Sequence, residues 1–102
     1  MARRTSVDRK NRGLVKNYGI TLKERDVMWA EQGGVCAICH EVPREERTAG
    51  GGINDGICVD HDHVTGRIRG LLCSRCNWML GNARDNVLIL EAGAKYLQER
   101  AR

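Results

Sequence analysis

The alternation of hydrophobic and polar positions predicts three helices and one β-hairpin. Thr21 to Glu24 has the Thr-x-x-Glu form of a capping box, which predicts a helix over about residues 22–32 that stops at Gly33 and Gly34. We expect the apolar side chains of this helix to pack in the core: Leu22, Val27, Met28 and Trp29.

Two short segments rich in Ile, Val and Leu, residues 57–62 and 67–72, predict a pair of strands. The four residues His63 to Gly66 join them, and Gly66 can adopt a positive φ, so the pair is expected to form a hairpin. The preceding residues 40–56 contain the only Pro and three consecutive glycines, which predict an irregular loop.

The C-terminal part of the chain predicts two more helices. The first covers residues 74–83, and the second starts after Asp85 or Asn86 and runs to about Glu99. An apolar stripe at positions i, i+3, i+7 and i+10 of the last helix is expected to pack in the core or against a partner: Val87, Leu90, Ala94 and Leu97.

Length and composition predict one domain with a thin core. The chain has 102 residues, no Phe, 12 Gly and only 4% aromatic residues. A core of this kind leaves such a domain marginally stable, so a further stabilising element is expected.

Positive charge is concentrated in residues 1–20, which we separate as a basic N-terminal arm from a domain over 21–102. The whole chain has a net charge of +4, and its pI is about 9.0. The arm is either a solvated tail or a segment that lies on a phosphate backbone. The second alternative makes four of its residues candidate DNA contacts: Arg3, Arg4, Lys10 and Arg12.

No apolar run is long enough to cross a membrane, and the basic N-terminus lacks the apolar region of a secretory signal. We therefore expect no membrane partner and a reducing cytoplasm as the place of action. Closely spaced cysteines in that compartment are more often metal ligands than disulfides.

Two Cys-x-x-Cys pairs, Cys36–Cys39 and Cys73–Cys76, are separated by 33 residues. Each pair can point two thiolates at one ion, and two pairs complete the tetrahedral shell of a structural Zn²⁺. A redox role is the alternative for either pair alone, but it does not explain two. The four sulfurs leave no open position, so the zinc is expected to stabilise rather than catalyse. We expect Cys58, within a strand, to be a small buried apolar residue.

A dense polar cluster, Asp60-His61-Asp62-His63, ends the first predicted strand. Chance exposure and a second structural metal site are the simple alternatives. Phosphodiester hydrolysis is the third, with Asp60 and Asn77 as oxygen ligands of a divalent cation and His61 as the general base. Strict alternation would put Asp60 and His61 on opposite faces, so a shared site requires the strand to end or twist sharply there.

Three arginines flank this cluster: Arg67, Arg69 and Arg75. They are either ordinary surface charges or contacts to the DNA backbone, and their position favours the second interpretation. Trp78 is expected in the core, and contact with a sugar or base is the alternative.

These motifs together resemble the phage recombination endonuclease VII family, within the HNH or ββα-metal nucleases, over about residues 20–98. They are the first Cys-x-x-Cys, Asp-His-Asp-His, Thr-Gly-Arg-Ile-Arg-Gly-Leu-Leu-Cys and Cys-Asn-x-x-Leu-Gly. The resemblance implies an α+β fold with a zinc-stabilised hairpin-plus-helix core, and Mg²⁺- or Mn²⁺-dependent cutting of DNA to 5′-phosphate and 3′-hydroxyl ends. It makes Asp60 and Asn77 the metal ligands, His61 the general base and His63 an auxiliary contact.

The chain departs from the family's junction resolvase in two ways. Leu80 stands where that enzyme has a Glu, and the long C-terminal region that the enzyme uses for dimerisation does not follow here. Nicking is therefore expected, and junction resolution stays open. The expected partners are DNA and candidate phage packaging or replication proteins in the bacterial host, with the chain as monomer or homodimer. A non-catalytic zinc module that binds nucleic acid and a protein-interaction zinc ribbon are the competing functions.

Overall fold

The computed structural model describes residues 6–47, 49–50 and 53–100, and the predicted α+β class is confirmed. The elements in chain order are α1 (Ser6–Tyr18), α2 (Leu22–Glu31), β1 (Glu46–Arg47), β2 (Ile53–Asn54), β3 (Ile57–His61), β4 (Ile68–Cys73), α3 (Ser74–Asn82) and α4 (Val87–Arg100). Each of the three predicted helices and the predicted hairpin lies within one or two residues of its expected place. None of the helices described is long and apolar enough to cross a membrane.

Helix α1 was not predicted by the hydrophobic pattern. Its Leu14 is only 8% exposed and forms a core cluster with Val59 of β3 and Leu71 of β4. The side chain of Asn11 also accepts a hydrogen bond from the backbone N–H of Leu22, at 2.7 Å. From residue 6 onward, the basic segment is therefore a helix packed on the domain.

Helix α2 begins at the predicted capping box. The Thr21 hydroxyl accepts from the N–H of Glu24 at 3.1 Å, and the Glu24 carboxylate accepts from the N–H of Thr21 at 3.0 Å. At the other end, the Gln32 amide donates to Leu71 O at 2.9 Å and accepts from Leu71 N at 2.9 Å, which fastens α2 to β4. The core prediction is wrong for Val27, which is 52% exposed because it faces away from the hairpin.

Strands β3 and β4 form an antiparallel hairpin, and Gly66 has the expected positive φ of 74° in its turn. The pairing is regular from Ile57 to Asp60 and then shifts. Asp60 pairs with Gly70, but His61 pairs with Ile68, which leaves Arg69 as an extra residue in β4. A β-bulge of this kind increases the local twist and redirects side chains.

Two expectations about exposed and irregular residues are wrong, and for α4 the structure excludes one of two alternatives. The loop over 40–56 contains a short antiparallel pair, β1 with β2. Trp78 is 72% exposed, since it lies on the side of α3 that points away from the core. The stripe of α4 does not reach the core, because no residue of that helix is buried and Val87 and Leu97 are 63% and 65% exposed. Packing of α4 against a partner stays a prediction.

A partly buried ion-pair cluster joins α1, α2 and the segment before β3. Asp55 contacts Lys10 of α1 and, at 2.9 Å, Arg25 of α2. Its carboxylate also accepts from the N–H of Ile57 at 3.1 Å. Burial alone raises the pKa of Asp55, but Lys10, the Ile57 N–H and Arg25 together bring it below its usual value. Arg25 is 6% exposed and also contacts the exposed Asp26 at 3.3 Å, so Asp55 is the nearer and more buried of these two anionic partners.

We expect Asp55→Asn to destabilise the protein by about 2 kcal/mol at pH 7, because the buried guanidinium of Arg25 loses its nearest charged partner. Since the folded-state pKa of Asp55 is lowered, its stabilisation is full above the unfolded-state pKa of about 3.9. That stabilisation is lost as the pH falls through the folded-state value. Denaturant unfolding of the unsubstituted protein and of Asp55→Asn should therefore give a difference in the free energy of unfolding that is constant at higher pH. This difference narrows only below about pH 4. A difference that is absent at pH 7 would contradict this role.

Candidate metal centre and active site

The four cysteines of the two Cys-x-x-Cys pairs converge. The sulfur atoms of Cys36, Cys39, Cys73 and Cys76 all lie within 4.8 Å of one another. The Sγ atoms of Cys39 and Cys73 are 3.8 Å apart. A tetrahedral zinc with Zn–S bonds of about 2.3 Å requires sulfur–sulfur distances of about 3.8 Å, so the donor set fits Zn²⁺.

Local backbone structure presents these sulfurs. In the first pair, the N–H of Cys36 donates to Glu41 O at 3.0 Å and the N–H of His40 donates to Cys36 O at 3.1 Å, with His40 at a φ of 60°. In the second pair, Cys73 ends β4 and is the N-cap of α3, where its sulfur accepts from the N–H of Cys76 at 3.5 Å. A zinc ion here would join the end of the hairpin and the start of α3 to the turn after α2.

Thiol acidity distinguishes Cys36 from Cys58, whereas the pKa values of Cys39 and Cys76 are raised like that of Cys58. Burial raises the pKa of Cys36, but backbone N–H groups, first those of Cys73 and Cys39, lower it to about 6. A thiolate is therefore available for zinc near neutral pH. Burial raises the pKa of Cys58, which keeps that half-buried thiol neutral. This agrees with its expected role as a small apolar residue.

A second cluster of polar side chains lies at the turn end of the hairpin. Arg69 makes two hydrogen bonds to the Asp60 carboxylate, each 2.8 Å long, and a third to Asp85 at 3.3 Å. Asp85 is also 3.8 Å from Nε2 of His63. The ring of His63 lies 4.8 Å from that of His61, between ring centroids. A continuous series of contacts therefore connects Asp60 with His61.

The bulge explains how neighbouring strand residues meet in one cluster. Strict alternation would separate Asp60 and His61, but β3 ends at His61 and its register with β4 shifts between the two residues. Arg69, the extra residue of β4, reaches Asp60 from the bulge itself. The sequence-based requirement that the strand end or twist at this point is met.

Helix α3 forms one wall of a cleft of about 400 Å³ beside this cluster. The residues that line it are Asp62, His63, Val64, Arg69, Gly81, Arg84 and Asp85. Asn77 is half-buried and lies one helical turn before Gly81, so it shares the face of α3 that borders the cleft. Leu80 points elsewhere and packs against the cluster of Cys36, Leu72 and Cys76.

Asp62 stabilises the hairpin turn. Its Oδ1 accepts from the N–H groups of Val64 at 2.8 Å and Thr65 at 3.0 Å. These two donors, first that of Thr65, lower the pKa of the Asp62 carboxyl. The Asp62 carboxylate therefore has a structural role in the turn that needs no contact with a substrate, although the residue borders the cleft.

The cationic residues expected to contact DNA have different surroundings. Arg67 lies exposed after the turn, Arg75 lies exposed on α3, and Arg12 lies exposed on α1. Arg69 and Lys10 are engaged with Asp60 and Asp55 respectively. Arg3 and Arg4 lie outside the described residues. Their contacts to DNA all stay predictions.

Two residues of the cluster were missed by sequence reasoning. Tyr18, at the end of α1, places its ring 5.5 Å from that of His61, measured between centroids. Asp85 reaches the cluster from the turn after α3. Neither lies in a motif, and only the packing of distant segments reveals them.

Comparison with known proteins agrees with this architecture. The sequence profile of the family described as recombination endonuclease VII matches residues 11–99. The Gene 59 protein of Mycobacterium phage D29 is 38% identical over 87 residues, which are 84% of this chain and 48% of that protein. The Gene 59 protein of Mycobacterium phage L5 is 38% identical over 85 residues, 82% of this chain and 47% of that protein. The chain thus spans about half the length of these relatives.

No solved structure matches the chain. The family profile nevertheless covers both cysteine pairs, the hairpin and the helix that follows it. On that match, the chain belongs to the recombination endonuclease VII family.

Proposed function

We propose that this protein is a metal-dependent DNA endonuclease of the HNH type, which hydrolyses phosphodiester bonds. The observation that carries the proposal is the series of contacts from Asp60 through Arg69, Asp85 and His63 to His61, beside α3. It gathers carboxylates, two imidazoles and a guanidinium, and three members of the series, His63, Arg69 and Asp85, line one solvent-accessible cleft. Membership of an endonuclease family supports the same reaction.

In this proposal, Asp60 and Asn77 would hold a Mg²⁺ or Mn²⁺ ion. Asp60 suits the role of metal ligand because its side chain is only 12% exposed and both of its carboxylate oxygens already bind a cation, the Arg69 guanidinium. Asn77 adds a neutral amide oxygen, a ligand type that suits these hard cations. The ion would supply charge stabilisation at the phosphate and at the leaving 3′-oxygen.

His61 is the proposed general base. It accepts a proton from water as the water oxygen bonds to phosphorus, the bond from phosphorus to the 3′-oxygen breaks, and that oxygen takes a proton from solvent. The products are a 5′-phosphate and a 3′-hydroxyl. Tyr18 and His63 flank the imidazole and restrict its orientation. His63 is 69% exposed and is the proposed auxiliary contact to phosphate.

Exposed arginines on three elements would bind the DNA backbone around the cleft: Arg12, Arg67 and Arg75. The relatives are phage proteins, which supports phage or host DNA as the substrate and the bacterial host as the place of action. Two chains acting together would be needed for paired cuts, whereas one suffices for a nick.

A cleavage panel tests this proposal. Zinc-loaded protein is incubated with supercoiled plasmid, linear duplex or a four-way junction, with Mg²⁺, with Mn²⁺ or without either ion. We expect nicked plasmid only when Mg²⁺ or Mn²⁺ is present, with ends that a ligase can rejoin. DNA binding without cleavage under every metal condition would instead favour a non-catalytic zinc module.

A further inference from the structure

Asp85 has an unusual backbone conformation at the turn that follows α3. Both Arg84 and Asp85 have a positive φ, 55° and 54°, in a region that non-glycine residues rarely adopt. The N–H of Asp85 donates to Leu80 O at 2.9 Å, which closes this turn over the end of α3. Two consecutive residues are thus held in a costly conformation, and the result is that the Asp85 carboxylate faces the hairpin.

The carboxylate of Asp85 stands between two groups of the cleft. Its Oδ2 is 3.3 Å from Nη2 of Arg69 and 3.8 Å from Nε2 of His63. The same Nη2 atom donates to Asp60 at 2.8 Å, so one guanidinium nitrogen is shared by two carboxylates. The side chain of Asp85 is 27% exposed and that of Arg69 is 37% exposed, so water only partly screens this pair.

The Arg69 guanidinium and a divalent ion would compete for Asp60. Both oxygens of Asp60 are engaged by Arg69, and an ion bound to that carboxylate would have to displace at least one of these bonds. A displaced guanidinium without another anionic partner would lose its charge-assisted hydrogen bonds. Asp85 supplies that second partner within the same cluster.

We propose that Asp85 is a positioning residue, which retains Arg69 at the cleft when a divalent ion takes over the Asp60 carboxylate. This inference rests on the proposed function, because it assumes that Asp60 is a metal ligand. Arg69 then has two arrangements. In the first its guanidinium binds both Asp60 and Asp85, and in the second it binds Asp85 alone. In the second arrangement, the guanidinium is free of Asp60 but stays beside His63, where it can meet a phosphate.

The retention has a thermodynamic consequence for metal binding. With ion bound, Asp85 is the remaining carboxylate partner of Arg69, whereas without ion Asp60 shares the charge. Loss of the Asp85 charge therefore destabilises the ion-bound state more than the ion-free state. The affinity for the ion falls as a result. Removal of Arg69 should instead raise the affinity for the ion, because the guanidinium that competes for Asp60 is gone.

The test is calorimetric titration of Mn²⁺ into zinc-loaded protein, together with the Mg²⁺ dependence of plasmid nicking. Asp85→Asn keeps the shape of the side chain, and Asn tolerates a positive φ well. We expect the dissociation constant for Mn²⁺ to rise about threefold to fivefold, consistent with one partly exposed ion pair. Glu99→Gln removes an exposed carboxylate near the end of α4 and should leave Mn²⁺ binding unchanged.

The double variant Arg69→Gln/Asp85→Asn separates positioning from direct ligation. If Asp85 acts through Arg69, the substitution of Asp85 should change Mn²⁺ affinity less than about twofold in the Arg69→Gln background. An equal loss in both backgrounds would overturn the inference and indicate that Asp85 contacts the ion itself. Unchanged Mn²⁺ affinity of Asp85→Asn alone would also overturn it.

Failure of the proposed function gives a different result. In that case the unsubstituted protein neither binds Mn²⁺ beyond its zinc nor nicks plasmid, whatever residue stands at position 85. If the unsubstituted protein does both and Asp85→Asn matches it, only the inference about Asp85 fails.

Discussion

Replacement of His61 by Ala is expected to lower the rate of DNA cleavage at least about 100-fold, the usual size of a general-base contribution. The imidazole stands between the rings of Tyr18 and His63, beside the cleft that His63 lines. The measurement is single-turnover nicking of supercoiled plasmid at saturating Mg²⁺. Zinc content and melting temperature should stay close to those of the unsubstituted protein, since His61 is only half-buried.

His63→Ala is the matched control for this prediction. Its imidazole is 69% exposed and is proposed to assist rather than to accept the proton, so the loss should be about tenfold or less. The decisive result is which of the two variants loses more of the cleavage rate. Full activity of His61→Ala would remove His61 from the role of base, and a larger loss in His63→Ala would transfer that role to His63.

Cys36→Ser is expected to abolish zinc binding and to unfold most of the domain. Cys36 is completely buried, and its sulfur lies in the four-cysteine cluster. Structural zinc contributes about 10–16 kcal/mol in small zinc domains, which equals or exceeds the stability of an ordinary domain. The core here rests on few buried side chains, chiefly Leu14, Leu71 and Leu72, so it has little stability to lose. A strong chelator should unfold the unsubstituted protein in the same way.

Cys58→Ser provides the same chemical change at a cysteine outside the cluster. We expect it to keep one zinc per chain and a circular dichroism spectrum like that of the unsubstituted protein, with a stability loss of about 1 kcal/mol. Zinc content by mass spectrometry and far-ultraviolet circular dichroism distinguish the variants. A folded Cys36→Ser protein without zinc would show that the cluster is dispensable for the fold.

The four-cysteine cluster and the proposed active site both include residues of α3. Cys73 caps this helix and Cys76 lies in its first turn, directly before Asn77. The far end of the helix leads into the turn that presents Asp85. Loss of zinc should therefore remove activity even where part of the hairpin persists, because both walls of the cleft depend on the position of α3.

Local signals made the secondary structure readable from the sequence. The capping box at Thr21 and the turn at Gly66 act between residues close in the chain, so their outcome depends little on the rest of the fold. The Cys-x-x-Cys spacing is equally local, and it correctly predicted a four-sulfur cluster. Helix α1 was not predicted, because its many basic residues suggested a tail or a DNA-binding arm, although they belong to an amphipathic helix.

Burial was harder to predict than secondary structure. Trp78 and most apolar residues of α4 look like core residues by type, yet they are exposed. A periodic apolar stripe indicates that a helix can pack, but not which surface is available to it. In this chain, the hairpin, α1 and α2 already enclose the small core around Leu71.

The sequence by itself determined the residue types of the cysteine cluster and of the proposed active site: four cysteines at zinc spacing, and Asp60, His61 and Asn77 at the ends of predicted elements. It did so because the chemistry depends on residue type and short spacing. Only the tertiary structure decided that Arg69 pairs with Asp60, that Tyr18 lies against His61, and that Asp85 joins the cluster. These contacts join residues of different elements, brought together by a bulge in the hairpin, the packing of α1 and a strained turn, and no local pattern encodes them.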